Sequence, residues 1–206
     1  MTAIGFRVKS GHAIAVILQG SVESPLPVAR QVVELCDPAV AETRQPYHSG
    51  LGQAEADPKT IARRVKIIER AASASVSELA ARLGVDRLEQ GRTGSSRRVE
   101  CRAALVTGSV IDPESVGNPH IRAHAYEGRL FRTVLERALV AHGIRASVIV
   151  EKQLAETARR RLGRSDRAIK QRLLELGTVF GSPWRSDEKA AATAAWMALA
   201  DYNLRP

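Results

Sequence analysis

At 206 residues the chain has the length of one α/β domain, expected to run unbroken over residues 1–206. A hydrophobic fraction of 44% supplies a core, but with only 4% aromatic residues that core must be built from Ala, Val, Leu and Ile. The net charge of +9 favours a polyanion or an acidic partner, though an arginine-rich composition is the plainer account of the same number, and no apolar run reaches the roughly 20 residues of a membrane-spanning helix.

The N-terminal residues carry two strand-like runs, Ile4–Val8 and Ala13–Leu18, around a Lys-Ser-Gly-His turn in which Gly11 can take positive φ. Lys9 and His12 interrupt the apolar residues, so a signal-peptide layout is absent and a cytoplasmic location is expected. Pro25 and Pro27 break the chain before a third strand over Val28 to Cys36, giving an antiparallel meander. Asp37 to Asp57 reads as a loop containing Gln45-Pro46-Tyr47-His48. Asp57-Pro58 has the form of an N-cap followed by proline at the first helical position. From there Ile61, Val65, Ile68, Ala72, Val76, Leu79 and Leu83 recur at helical spacing, as one long helix or two. Gly91 to Ser96 is a polar turn with two glycines, flanked by Arg92, Arg97, Arg98 and Arg102.

Ala104 to Ile111 is then a central strand, followed by a loop with Pro113, Gly117 and Pro119. A helix over Ile121–His142 should bury Tyr126, Leu130, Val134, Leu135, Ala138 and Val140, and Gly143 caps it. Ala146 to Val150 is the next strand and Gln153 to Leu176 a basic helical stretch. A last helix opening at Ser186-Asp187-Glu188 has an alanine-rich face for close packing. Cys36 and Cys101 have no partner motif and read as buried thiols.

This order of elements, and several of the residues in it, resembles the ribonuclease H-like superfamily and within it the RuvC-type Holliday junction resolvases. Ala138-Leu139-Val140-Ala141-His142-Gly143-Ile144 resembles the end of the helix before that family's last strand. Gln153 to Leu176, with Gly163-Arg164-Ser165-Asp166-Arg167-Ala168-Ile169-Lys170, is similar to its basic segment. Asp187 to Leu199 (DEKAAATAAWMAL) is similar to its closing helix, and Ile4-Gly5-Phe6-Arg7 stands where its first strand would be. The resemblance implies an RNase H-like mixed sheet, antiparallel in its N-terminal strands and parallel in its C-terminal ones, with helices on its faces. It also implies a nuclease centre in which four carboxylates hold two divalent ions. Against that pattern, the first-strand acid falls near Arg7 and the central-strand acid near Gly108 or Ser109. In the closing helix Asp187 is present but Ala190 stands three residues on.

Three other constellations stand out. His120, His124 and Glu127 share one helical face, and His124-x-x-Glu127 has the spacing of a ligand pair. Asp187 and His48 could join them on one rim, and such a donor set suits Zn, Mn or Fe. A polar helix start with Glu127 paired to an arginine is the plainer reading. Arg160, Arg164 and Arg167, with Lys170 beyond, form the densest basic run, either a phosphate-binding face or a solvated helix surface. Ser77 to Val85 resembles the first helix of a helix-turn-helix, but the broken polar stretch after it cannot supply a recognition helix. Phosphate-loop, dinucleotide and nucleophile-elbow motifs are missing.

The expected function is a nucleic-acid-associated, non-catalytic RuvC-like domain, with DNA or RNA bound through Arg160, Arg164, Arg167 and Lys170. A metal-dependent nuclease or hydrolase stays open as an alternative, with His124, Glu127 and Asp187 as both catalytic and metal-ligating groups and a divalent metal as cofactor. So does an interaction or scaffold protein that forms an oligomer. No membrane partner is expected.

Overall fold

The computed structural model describes residues 1–85, 88–90, 96–98 and 100–201. Three N-terminal strands form a meander: β1 (Thr2–Lys9), β2 (His12–Gly20) and β3 (Pro25–Glu34). The β1–β2 turn depends on Gly11, whose φ of 81° disfavours a side chain. Helix α1 (Pro58–Leu83) follows, its Asp57 carboxylate accepting from the Lys59 and Thr60 amides with Pro58 in the first turn. A short antiparallel hairpin, β4 (Leu88–Gln90) with β5 (Ser96–Arg98), comes next. Most of the expected glycine turn, residues 91–95 including Arg92, lies outside the described residues. Then come β6 (Cys101–Thr107), α2 (Pro119–Ala141), β7 (Arg145–Val150), α3 (Leu154–Leu162), α4 (Asp166–Phe180) and α5 (Ser186–Ala200).

The main sheet has the order β3-β2-β1-β6-β7, antiparallel among the first three strands and parallel from β1 through β6 to β7. The central strand is therefore the expected one, between β1 and β7. It is shorter than the apolar run suggests: it ends at Thr107, and Val110 and Ile111 are exposed in the loop beyond. Conversely, β3 begins at Pro25 rather than after Pro27. As an edge strand it tolerates prolines that cannot donate to a ladder, and the pairing is irregular beside Ile17/Leu18, where Pro27 enters.

Strand alternation divides the core. Ile4, Phe6 and Val8 of β1 point to the face covered by α1 and α2, with Ile68, Leu79, Phe131 and Leu135. Ala3, Ala104 and Val106 point to the face covered by α3, α4 and α5, with Leu173, Ala191, Trp196 and Met197. Helix α5 lies directly on β1 at Gly5, where an added Cβ would stand 1.8 Å from the Ala191 carbonyl oxygen. The alanine face of α5 exists for that approach.

Two expectations about helices change. The basic stretch is two helices, because Gly163 ends α3 in the left-handed conformation (φ 60°) and the Ser165 hydroxyl caps α4 through the Ala168 amide. Arg160, Arg164 and Arg167 consequently share no helical face. On α2 the buried stripe is Ala123, Glu127, Phe131, Val134, Leu135, Ala138 and Leu139, whereas Val140 is 66% exposed. Both cysteines are buried and unpaired. Among the described residues, no helix is long and apolar enough to cross a membrane.

Candidate functional site

Glu127 is the unusual residue of α2: a carboxylate on the apolar stripe, 1% exposed. Burial of a charge requires partners, and the loop before α1 provides them. His48 is itself 6% exposed and places Nδ1 2.7 Å from Glu127 Oε1. The Tyr47 amide donates to the same oxygen at 3.4 Å, and His124 Nδ1 lies 3.3 Å from Glu127 Oε2.

The loop is pinned from two sides. Arg64 of α1, buried, donates from Nη1 to the Pro46 and His48 carbonyl oxygens at 3.1 and 3.0 Å and pairs with Glu55 at 3.2 Å. Tyr47 stacks on Tyr126 of α2 with centroids 5.0 Å apart, and Arg129 lies over the Tyr126 ring. Burial pushes the Tyr47 hydroxyl above its ordinary pKa, with Arg129 opposing and Glu127 adding to the shift. The Tyr126 hydroxyl hydrogen-bonds the Glu114 carboxylate, which raises its pKa as well.

His120 completes the group. Its Nδ1 is 2.7 Å from the Gly52 carbonyl oxygen, and its Nε2 is 3.3 Å from His124 Nε2. Ligand nitrogens of His48, His120 and His124 all lie within 4.8 Å of one another, so this group could hold a metal ion. His120 and His124 are exposed while His48 is buried.

The structure thus joins His124 to Glu127, and to His48 and His120 on the same side, but it places Asp187 elsewhere. Asp187 opens α5 on the opposite face of the sheet. There Arg7 of β1, 6% exposed, donates from Nε to Asp187 at 3.3 Å and from Nη2 to Glu151 at 2.6 Å, and Lys9 Nζ reaches Asp187 at 3.3 Å. Asp187 is no simple N-cap either: at the start of this helix it is the Glu188 carboxylate that accepts from the Arg185 amide, at 2.9 Å. The two acids that meet Arg7 were not legible as its partners, because Asp187 and Glu151 lie 180 and 144 residues away in the chain. The buried Glu127 left a readable trace, since Ala123, Glu127 and Phe131 are spaced four apart on a stripe that is otherwise apolar.

Of the expected nucleic-acid-binding residues, Arg160, Arg167 and Lys170 are exposed. Arg164 differs: it is half-buried between α3 and α4, with its guanidinium 5.6 Å from the centroid of the Trp196 ring. Neighbouring basic groups are engaged, Arg159 with Asp166 at 2.8 Å, Arg161 with Asp201 at 3.1 Å and Arg172 with Glu175 at 2.8 Å.

No protein-family profile matches this chain, and neither does any curated protein sequence. Solved structures do. T. thermophilus RuvC in complex with a Holliday junction substrate is similar at a TM-score of 0.55 and 13% identity, over 99% of this chain and 96% of that one. A second Thermus thermophilus RuvC structure gives 0.56 and 12% over 99% and 96%. With identity this low the likeness rests on architecture, and what it establishes is the fold: a RuvC-like, RNase H-like α/β arrangement running the length of the chain.

Proposed function

We propose that this chain is a nucleic-acid-associated RNase H-like domain that lacks the carboxylate centre of a RuvC-type nuclease and is non-catalytic in that chemistry. The observation that carries the nucleic-acid reading is surface charge without local neutralisation. In a chain of net charge +9, Arg160, Arg167 and Lys170 are exposed at α3 and α4, and none has an ion pair among the described residues. Each such cation is free to displace a phosphate counterion. The RuvC of the same fold is described with a Holliday junction substrate, which supports DNA as the ligand to try first.

The non-catalytic half rests on Arg7. It stands on β1 where the resemblance puts the first acid, and its guanidinium and the Lys9 ammonium already neutralise Asp187 and Glu151. A divalent ion there would have to displace two fixed cations while gaining few oxygen ligands. Gly108, Ser109 and Ala190 add no acid. The residues present do not fit a two-ion centre.

The test is a triple charge reversal, Arg160→Glu with Arg167→Glu and Lys170→Glu, titrated with duplex and branched DNA by fluorescence anisotropy over a range of salt. Each lost phosphate contact should flatten the slope of log K against log salt by about 0.9. A triple variant that binds as tightly as the parent at low salt overturns this reading of the surface. A second reading, a metal-dependent hydrolase, has one observation in its favour: the imidazole group beside Glu127. It would keep His124 and Glu127 and exchange Asp187 for His48 and His120.

A further inference from the structure

We infer that His48, His120 and His124 form a zinc-class metal site through their Nε2 atoms, with Glu127 as the carboxylate that orients two of the three rings. The inference goes beyond nucleic-acid association and stands without it.

The argument starts from the other nitrogen of each ring. His48 Nδ1 faces Glu127 Oε1 at 2.7 Å, His120 Nδ1 faces the Gly52 carbonyl oxygen at 2.7 Å, and His124 Nδ1 faces Glu127 Oε2 at 3.3 Å. The first two are hydrogen bonds to oxygens that can only accept, so Nδ1 of His48 and of His120 carries the proton. The third is a charge contact without hydrogen-bond alignment that leaves Glu127 Oε2 unpartnered, and a ring lone pair aimed at that carboxylate would be repelled, which favours the same tautomer for His124. In the neutral ring that leaves a lone pair on every Nε2. Two of those lone pairs confront each other, since His120 Nε2 and His124 Nε2 are 3.3 Å apart. The third, His48 Nε2, is buried and has no hydrogen-bond partner. A buried imidazole nitrogen without a partner costs free energy, and two facing lone pairs repel. A cation among the three relieves both.

The spacing suits a metal. Nitrogen ligands at about 2.0–2.1 Å in tetrahedral geometry sit roughly 3.3–3.4 Å from one another, which is the observed His120–His124 separation. The Nδ1 contacts supply the outer partners that ligating histidines use to fix ring orientation and raise basicity: one backbone carbonyl and one carboxylate shared by two rings. Imidazole donors select Zn, Cu, Ni or Fe over Mg or Ca. Because His120 and His124 are exposed, a fourth position is left for water or a small anion. The ion would tie the loop carrying His48 to the first two turns of α2.

The test uses the full-length chain without an affinity tag, stripped of metal with a chelator and titrated with Co²⁺ as an optical probe for zinc. The expected result is one Co²⁺ per chain with the intense visible bands of a low-coordinate nitrogen site, bleached by Zn²⁺. His120→Ala and His124→Ala, both exposed and therefore compatible with folding, should each weaken binding at least 100-fold. Glu127→Gln should weaken it by 10–100-fold while leaving the stoichiometry at one. His12→Ala and His142→Ala should change nothing. If the parent gives no such bands, or if His120→Ala binds Co²⁺ as tightly as the parent, the site is refuted. A direct hydrogen bond between the two rings is then the remaining account of their approach.

Discussion

Replacing Arg7 with methionine keeps most of the side-chain volume and removes the charge, so it isolates what the guanidinium contributes. The substitution gives up a 2.6 Å bond to Glu151 and a 3.3 Å bond to Asp187. Removing one partner of a wholly buried pair costs about 3–5 kcal/mol, whereas an exposed pair contributes about 0–1 kcal/mol. The network lies between these limits, because the Arg7 side chain is 7% exposed but those of Asp187 and Glu151 are 29% and 51% exposed. Asp187 also keeps Lys9 at 3.3 Å, so only Glu151 loses its charged partner outright, and it is half in water. A destabilisation of about 1–2 kcal/mol follows. For a chain of this length that lowers Tm by roughly 2–8 °C, measurable by thermal unfolding followed by circular dichroism. High salt should narrow the gap, since the outer ends of the network are screened. Adding Glu151→Gln and Asp187→Asn to Arg7→Met should recover most of the loss, because no stranded carboxylate then remains. A single variant as stable as the parent, or a triple variant no better than the single one, would refute the network as a stabilising device.

Two further outcomes follow from packing. Gly5→Ala should destabilise the fold by about 3 kcal/mol or more, since the new Cβ would meet backbone atoms of α5 at 1.8 and 2.3 Å; Gly108→Ala, with nothing within 4 Å, is the control. Equal urea midpoints for the two variants would mean that α5 is not seated on β1 as described. Burial pushes the Cys101 thiol up to about 12 from an ordinary 9.0, so a disulfide reagent at mildly alkaline pH should label neither Cys101 nor the buried Cys36 until the protein unfolds. The unfolded Cys101 ionises near 9.0 while the folded one holds its proton. Its contribution to stability is therefore complete below that pH and falls as pH rises towards 12. Cys101→Ala should remove that part of the alkaline slope, and an unchanged slope would contradict the burial.

The alternation of short apolar runs with helical spacing was enough to read the sheet order around β6. The local devices Asp57-Pro58 and Gly11 act through neighbours in the chain and were readable for that reason. The phase of α2 was misread because its apolar residues extend around more than one face: Val140 looks like core and is exposed, while Glu127 looks like surface and is buried. The break at Gly163 was signalled by a glycine followed by a capping serine, but the run of arginines suggested a continuous face. The Arg7–Asp187 pairing carries no local trace at all. It arises when α5 closes over β1, and the register of that closure is set by Gly5 and the alanines opposite it.

The separation of the two charged centres has one cause. In a strand, successive side chains leave opposite faces of the sheet, and β1 runs from Gly5 through Phe6 and Arg7 to Val8 at its C-terminal end. Arg7 therefore belongs with Gly5 on the α5 side, where its neighbours are acids. Phe6 and Val8 belong to the α1 and α2 side, where Phe131 and Leu135 continue into the stripe that carries Glu127. A carboxylate recruited from α2 cannot serve the β1 centre, and Asp187 cannot serve the imidazoles, without passing through the sheet. This is why one helical acid and one α5 acid on the same chain do not make a single site. It is also why the imidazole group stands apart from the positions of the nuclease carboxylates: the carboxylate beside it comes from the helix that supplies two of its histidines.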